Sequence, residues 1–362
     1  MKQTSRIIST YSADTFGVCS ALFELGGMVI MHDASGCNST YTTHDEPRWF
    51  DMDSMVYISG LSEMEAIMGD DQKLIDDIVS AAEELHPKFI AIAGTPIPTM
   101  TGFDFEAVAS LIEAQTGIPT FGLQTTGMNT YIYGASMALE ALARRCVEQN
   151  VEKTENPSIN ILGLTPLDFS VNGQAEAIAA WAEKQGYQIL SRWAMGSSLE
   201  EIAQAGRAHL NLVVSAAGLG AAKALEELFG TPYQIGIPIG ASLERSNLPG
   251  GDVVVVGEGI YTLSLAYALE RATGNGVRVI CTTECDESLL REKDVCLRDE
   301  EDIQKSLEEA KVVIADPLFQ PICPTQAKFI PLPSEAFSGR LYRKDIPNLI
   351  DDFEAFGKEL LV

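Results

Sequence analysis

The chain has 362 residues, 46% of them hydrophobic, and a formal net charge of −26 from 25 basic and 51 acidic residues. This length exceeds what one ordinary hydrophobic core accommodates and predicts two or three domains. The negative charge repels nucleic acid and anionic membranes, so we expect neither as a partner. No apolar run approaches the roughly 20 residues of a membrane span, and the start does not resemble a signal peptide, so we expect a cytoplasmic protein.

The first segment, residues 1–157, alternates apolar strands with amphipathic helices. Strands are predicted at 28–32, 55–59, 89–93 and 120–123. Helices are predicted at 15–26, from Ser62 onward, and at 72–85, 104–115 and 131–149. The sequence Ser62-Glu-Met-Glu65 has the form of a capping box, which favours a helix start at Ser62.

The rest of the chain repeats this alternation in two further segments, residues 158–250 and 251–362. Strands are predicted at 159–162, 188–190, 210–214, 234–237, 252–257, 277–281 and 312–315. Helices are predicted at 173–184, 199–205, 219–229, 261–272, 301–310 and 346–360, the last being a C-terminal helix. Such alternation predicts an α/β protein with three Rossmann-like domains and mostly parallel sheets.

The first strand leads into His32-Asp-Ala-Ser-Gly-Cys37, the most suggestive stretch of the first segment. Ligands of open α/β sheets lie at the carboxyl ends of strands, where Cys37 is expected. The alternative is a buried, inert cysteine, the commoner role of a single Cys.

Two glycine pairs follow predicted strands, Gly218-Leu-Gly220 and Gly257-Glu-Gly259. Each lacks the remainder of a dinucleotide-binding fingerprint, so each is interpreted as a tight strand-to-helix turn. The seven cysteines do not indicate a disulfide framework. Cys281 and Cys285 are close in sequence, but two thiols without a nearby histidine do not make a metal site.

Several segments together resemble the nitrogenase component 1 family, which includes molybdenum–iron protein subunits, cofactor-assembly scaffolds and tetrapyrrole reductases. The resemblance covers nearly the whole chain in order. Its segments are Phe16–Leu22, His32–Cys37, Leu61–Leu74, Ala93–Asp104, Leu210–Ser215 and Ser338–Tyr342.

The resemblance implies three Rossmann-like domains, a dimeric or α2β2 assembly, and electrons from a separate ATP-dependent iron protein. It also implies an iron–sulfur cluster held by cysteine thiolates at a subunit interface. The family's cluster cysteines fall at Ala13, Cys37 and Pro96, and its cofactor-anchoring cysteine falls at Ser215. Only Cys37 is retained.

This departure argues against an eight-iron cluster, an iron–molybdenum cofactor and nitrogen reduction. Two copies of Cys37 at a two-fold axis, with Cys19 from each chain, would give four thiolates for a 4Fe–4S cluster. The alternative for Cys19 is a core residue on the apolar face of its helix. Two further alternatives remain open. His32 or Asp33 would serve as a ligand, or a second component 1-like subunit would supply the missing cysteines.

Two functions follow from the resemblance. The first is a nitrogenase-like oxidoreductase subunit, with a cluster near Cys37 and a tetrapyrrole or other organic or metal-organic substrate. The substrate would lie in a cleft among the three domains, where Asp168, Ser215, Gly218 and Gly257 are the candidate binding residues. The second is a non-catalytic scaffold or partner subunit that binds a cofactor precursor or metallocluster. No catalytic residue is assigned.

Overall fold

Three parallel β-sheets, one after another along the chain, form the framework of the protein. The computed structural model describes residues 6–7, 13–34, 46–240 and 252–356. The first sheet has the order β2-β1-β3-β4 and contains Met28–Met31 (β1), Met55–Ile58 (β2), Ile90–Ala93 (β3) and Thr120–Leu123 (β4). Every strand pair that the structure describes is parallel.

The second and third sheets lie in the remaining two thirds of the chain. The second has the order β6-β5-β7-β8 and contains Ser158–Leu162 (β5), Gln188–Arg192 (β6), Leu210–Val213 (β7) and Tyr233–Ile235 (β8). The third has the order β11-β10-β9-β12-β13 and contains Val253–Gly257 (β9), Val277–Cys281 (β10), Val295–Cys296 (β11), Val312–Ala315 (β12) and Lys328–Pro331 (β13). The predicted α/β architecture with parallel sheets is confirmed.

Helices connect the strands of each sheet. Those before β5 are Asp14–Leu22 (α1), Glu63–Met68 (α2), Gln72–Leu85 (α3), Pro96–Thr101 (α4), Phe105–Thr116 (α5) and Tyr131–Arg145 (α6). Those that follow are Pro166–Phe169 (α7), Gln174–Lys184 (α8), Leu199–Ala203 (α9), Leu219–Phe229 (α10), Gly259–Thr273 (α11), Glu300–Leu307 (α12) and Glu335–Ser338 (α13). No helix among the described residues is long and apolar enough to cross a membrane.

Local sequence signals explain why several elements begin where they do. Ser62 caps α2 and forms the expected capping box with Glu65. All five residues of β9 are buried, as a valine-rich central strand of a parallel sheet requires. One hydrophobic cluster runs from Val18 in α1 to Phe356, so the three sheets share a continuous core.

The structure contains elements that the sequence did not predict, among them α7, β11 and α13. Pro96–Thr101 is a helix rather than a loop, because a proline in the first turn needs no backbone donor and suits a helix start. The short strand Lys328–Pro331 was not predicted, because its sequence shows no clear alternation of apolar and polar residues. The predicted C-terminal helix at 346–360 is wrong over 346–352, where Ile346 is extended before Pro347, and helical structure begins at Phe353.

Helices α1 and α6 cross in direct backbone contact and thereby position the start of α6. A Cβ atom at Gly17 would lie 1.9 Å from the Tyr131 carbonyl oxygen, and one at Gly134 would lie 1.8 Å from the Asp14 carbonyl oxygen. No side chain fits at either point. These two glycines therefore fix where Tyr131 enters the centre of the molecule.

Candidate functional site

The second and third sheets each reverse their strand order, between β5 and β7 and between β9 and β12 respectively. Such reversals open crevices at the carboxyl ends of the strands. In the second sheet, Thr165 follows β5 and Ser215 follows β7. In the third sheet, Glu258 follows β9 and Asp316 follows β12. The two crevices face each other across a short distance, because Glu258 accepts a hydrogen bond from the Ala216 backbone (2.9 Å).

Asp168 is the centre of this arrangement. The hydroxyls of Thr165 and Ser215 each donate to Asp168 Oδ2 at 2.7 Å, and the Tyr131 hydroxyl donates to Oδ1. The three donors come from the loop after β5, the loop after β7 and the start of α6. Asp168 thus joins the second sheet to the first segment of the chain.

Glu258 lies directly after β9 and caps the 15-residue helix α11. Its carboxylate accepts from the backbone of Tyr261 (2.7 Å) as well as from that of Ala216. The residue is only 5% exposed. This carboxyl group therefore bridges the second and third sheets from inside the protein.

Burial changes the protonation of both carboxyl groups. Burial raises the pKa of Asp168, although its three hydroxyl donors act in the opposite direction. Burial and the nearby Asp168 raise the pKa of Glu258 from 4.5 to about 8. Burial also raises the pKa of the Tyr131 hydroxyl. At neutral pH the raised pKa values favour one proton on the pair, and the three hydroxyl donors on Asp168 favour Glu258 as its site.

A small cavity of about 30 Å³ lies beside the two carboxyl groups. Asp168, Gly257, Glu258, Tyr261 and Asp316 contribute to its lining. Its volume is enough for about one water molecule.

The structure brings together three of the four predicted cofactor-binding residues. Asp168 and Ser215 are hydrogen-bonded, and Gly257 lines the same cavity as Asp168. Gly218 lies behind them, where a Cβ atom would come within 2.5 Å of the Leu162 carbonyl oxygen. Its role in the described structure is a close approach of helix to strand.

Of the two predicted metal ligands, Cys37 lies outside the described residues. Cys19 is fully buried in the hydrophobic core, and burial raises the pKa of its thiol, which disfavours the thiolate that a cluster needs. Ala13 and Pro96 offer no ligand atoms. Among the described residues no three His, Cys, Asp or Glu side chains are arranged to hold a metal ion.

His32 and Asp33 lie at the strand-order reversal of the first sheet, between β1 and β3. The Nδ1 atom of His32 lies 2.9 Å from the Ser59 hydroxyl oxygen. The Thr95 hydroxyl donates a hydrogen bond to the Asp33 carboxyl group at 3.1 Å. Burial lowers the pKa of His32 to about 4, so its imidazole is neutral at pH 7. These residues form a second, smaller polar group at the carboxyl edge of the first sheet.

Sequence reasoning missed the roles of Tyr131 and Glu258. Tyr131 carries no motif, because only the crossing of α1 and α6 brings it to Asp168. Glu258 directly follows the candidate residue Gly257 but was not singled out. The signal that could have identified it is its place as the first residue after a buried valine strand and the cap of a long helix.

The fold and the site define a multi-sheet α/β protein with its polar centre between sheets. Residues 14–316 match the family described as Nitrogenase component 1 type Oxidoreductase. The chain belongs to this family, and the resemblance inferred from the sequence is confirmed.

Individual members of the family match only part of this chain, at low sequence identity. The chain is 30% identical over 182 residues to the nitrogenase iron-molybdenum cofactor biosynthesis protein NifE of Clostridium pasteurianum, covering 49% of this chain and 38% of that protein. It is 27% identical over 184 residues to a light-independent protochlorophyllide reductase chain of Nostoc punctiforme, covering 48% and 36%. The match thus spans less than half the length of either relative.

A solved structure, Nitrogenase Cp1 at pH 6.5, superimposes with a TM-score of 0.74. It covers 100% of this chain and 94% of that one at 15% sequence identity. This similarity establishes the fold.

Proposed function

We propose that the chain is a substrate-binding subunit of a nitrogenase-like oxidoreductase and that Asp168 and Glu258 hold the proton used there. The electrons would come from an ATP-dependent iron protein, and the substrate would be a tetrapyrrole or another organic or metal-organic molecule rather than dinitrogen. The observation that carries the proposal is the buried carboxyl pair between the facing crevices of the second and third sheets.

The chemistry of the pair suits a reductase. Reduction of an organic double bond needs protons as well as electrons, and a general acid works best with a pKa near the operating pH. Glu258 meets this requirement with a pKa of about 8. Asp168 is held by three hydroxyl donors, which stabilise its ionised form when Glu258 carries the proton.

Ser215 occupies the position at which the family's cofactor-anchoring cysteine is expected. Its hydroxyl donates to Asp168, so its hydrogen is already committed within the protein. A hydroxyl in this arrangement supports a site for an organic ligand more than one for a built-in iron–molybdenum cofactor.

An iron–sulfur cluster of the 4Fe–4S type remains part of the proposal only through Cys37 and a second chain. A second copy of the chain would add one further Cys37 thiolate, and the remaining ligands would be His32 or Asp33 side chains or the cysteines of a component 1-like partner subunit. The cluster would supply electron transfer, and no step within this chain is derived from it.

An exposed apolar surface supports such an assembly. None of the six residues of α2 is buried, and α2 packs against α4. Met64, Ile67, Met68 and Met100 on these helices are 68–85% exposed, and we call these four residues the methionine patch. Large exposed apolar groups clustered on one surface indicate a protein interface. We propose that this patch contacts the second subunit.

A second candidate function is a non-catalytic scaffold or partner subunit that binds a cofactor precursor. One observation from the sequence favours it. Alanine and proline stand at two of the positions where cluster cysteines are expected. The similarity to a protein named for cofactor biosynthesis points the same way.

Metal content separates the two functions. The full chain would be purified without oxygen, reconstituted with iron and sulfide, and examined for iron, sulfide and an electron paramagnetic resonance signal after dithionite reduction. The oxidoreductase proposal expects about four irons per dimer and a reduced-cluster signal. Cys37→Ala should abolish both.

Cys146→Ala is the matched control, because Cys146 caps the C-terminus of α6 and is not among the predicted ligands, so this variant should leave iron binding unchanged. A reconstituted protein that holds no iron would sink the redox role of this chain alone and support the partner or scaffold function. Iron that survives in Cys37→Ala would rule out Cys37 as its ligand.

A further inference from the structure

The third sheet brings three cysteines to its carboxyl edge. Cys281 ends β10 and is paired in register with Cys296 on the neighbouring strand β11. Cys285 lies in the loop that follows β10. The thiols of Cys281 and Cys296 both approach the Thr283 carbonyl oxygen, at 3.4 and 3.3 Å.

Cys281 and Cys285 approach one another at the start of α11. A Cβ atom at Gly259 would lie 2.8 Å from Cys285 Sγ and 3.3 Å from Cys281 Sγ. The two sulfur atoms therefore lie no more than about 6 Å from each other. Glycine at position 259 leaves the room that both thiols occupy.

The three thiols differ in accessibility. Cys281 is completely buried, whereas Cys285 and Cys296 are partly exposed. Hydrogen bonding to Cys285, together with burial, raises the pKa of Cys281 to about 12. Cys285 and Cys296 are therefore the sulfur atoms that a reagent can reach, and Cys285 shares with the buried Cys281 the space beside Gly259.

The arrangement favours thiol chemistry over metal binding. The three sulfur atoms are not arranged around a common metal position among the described residues. Adjacent thiols of which one is exposed and one buried are the elements of a dithiol that closes to a disulfide. All three are free thiols in this structure.

We propose that Cys281 and Cys285 form a redox-active dithiol that is oxidised to an intrachain disulfide by a low-molecular-weight disulfide. The Cys285 thiolate attacks one sulfur of the reagent R–S–S–R, giving a mixed disulfide and releasing RS⁻. Cys281 then attacks Cys285 Sγ, forms the intrachain S–S bond and releases a second RS⁻. The two protons of the protein thiols are taken up by the two released thiolates, giving two RSH.

This site lies close to the polar centre of the protein. Glu284, between the two cysteines, accepts from the backbone of Thr130 at 3.1 Å and from its hydroxyl. Thr130 immediately precedes Tyr131, which donates to Asp168. Closure of the disulfide would act on the loop that holds the start of α6. The dithiol itself rests on its own geometry and stands independently of the function proposed above.

The test is treatment of the fully reduced full-length chain with glutathione disulfide, followed by thiol counting and peptide mapping by mass spectrometry. We expect the loss of two of the seven thiols and a Cys281–Cys285 linked peptide. In Cys281→Ser the glutathione mixed disulfide on Cys285 should accumulate. In Cys285→Ser no intrachain disulfide should form.

Cys323→Ser is the matched control. Cys323 is also a partly exposed cysteine of the third segment, and its thiol contacts only the Phe319 carbonyl oxygen among the hydrogen bonds described for it (3.2 Å). This variant should lose two thiols as the parent does. Retention of all seven thiols in the parent, or a linkage of Cys281 to Cys296 instead, would overturn the proposal. Because mapping of the parent chain decides the result, misfolding of a variant cannot obscure it.

Discussion

Glu258 and Asp168 show how burial gives ordinary carboxyl groups a particular role. Both are withdrawn from water, and both have hydrogen-bond donors on their oxygen atoms. Asp168 receives three hydroxyl donors, whereas Glu258 receives two backbone donors and is also near the charge of Asp168. The pair therefore divides its protonation unequally, with the proton on Glu258.

Replacement of Glu258 by glutamine tests this division. Because the folded-state pKa of Glu258 is raised from 4.5 to about 8, the folded protein holds a proton that the unfolded chain releases. The free energy of unfolding should therefore fall as the pH rises from about 4.5 to 8, by up to about 1.4 kcal/mol per pH unit. Glu258→Gln should remove this contribution, as measured by urea unfolding across that range.

The control for this experiment is Glu183→Gln, which changes an exposed side chain of α8. The free energy of unfolding of this variant should depend on pH as that of the parent does. Asp168, His32 and the other titrating groups are present in both, so their contributions stay in the control. An unchanged slope in Glu258→Gln would show that Glu258 ionises in the folded state as it does in the unfolded chain.

At the scale of elements, the crossing of α1 and α6 determines the site. Gly17 and Gly134 let the two helices touch through their backbones. The same crossing holds Tyr131 at the first turn of α6, where its hydroxyl reaches Asp168. A change that separates the helices should therefore damage both the packing and the polar centre.

Gly134→Ala provides such a change. Its methyl group would meet the Asp14 carbonyl oxygen at 1.8 Å, a backbone atom that cannot move aside. We expect a loss of about 3 kcal/mol or more in the free energy of unfolding, measured with urea.

Gly220→Ala is its counterpart in α10, where the nearest atom is the movable Ser136 hydroxyl at 2.8 Å. That clash is offset in part by the helix propensity gained with alanine, about 1 kcal/mol. The Gly220 variant should therefore be clearly less destabilised than the Gly134 variant. Equal losses in the two would argue against a special role for the α1–α6 crossing.

The whole molecule presents two contrasting surfaces. Its net charge of −26 keeps most of the exterior strongly acidic. The methionine patch interrupts that exterior with apolar side chains on α2 and α4 that are 68–85% exposed. Assembly with a second subunit would bury this apolar surface.

Met68→Glu tests the assembly. Met68 is 73% exposed, so the change should not disturb folding, but it would place a charge inside the proposed interface. Analytical ultracentrifugation should show an oligomer for the parent chain and dissociation for the variant. Leu111→Glu, a 52% exposed position on α5, is the control and should leave the assembly intact. An oligomer that withstands Met68→Glu would place the interface elsewhere.

The sequence by itself determined the alternation of strands and helices, the parallel sheets and the family. These depend on signals that lie within a few residues of one another, such as the capping box at Ser62 and the valine run of β9. The family resemblance also predicted that Asp168, Ser215, Gly218 and Gly257 line one cleft among the three domains.

Only the tertiary structure decided which of these groups touch. Tyr131 reaches Asp168 through a helix crossing, and Cys281 and Cys296 become neighbours through the pairing of β10 with β11. The structure also placed Cys19 in the core and gave Glu258 its raised pKa, since burial depends on every element packed around a side chain. Contacts between residues far apart in the chain follow from the packing of whole elements, and no local sequence pattern encodes them.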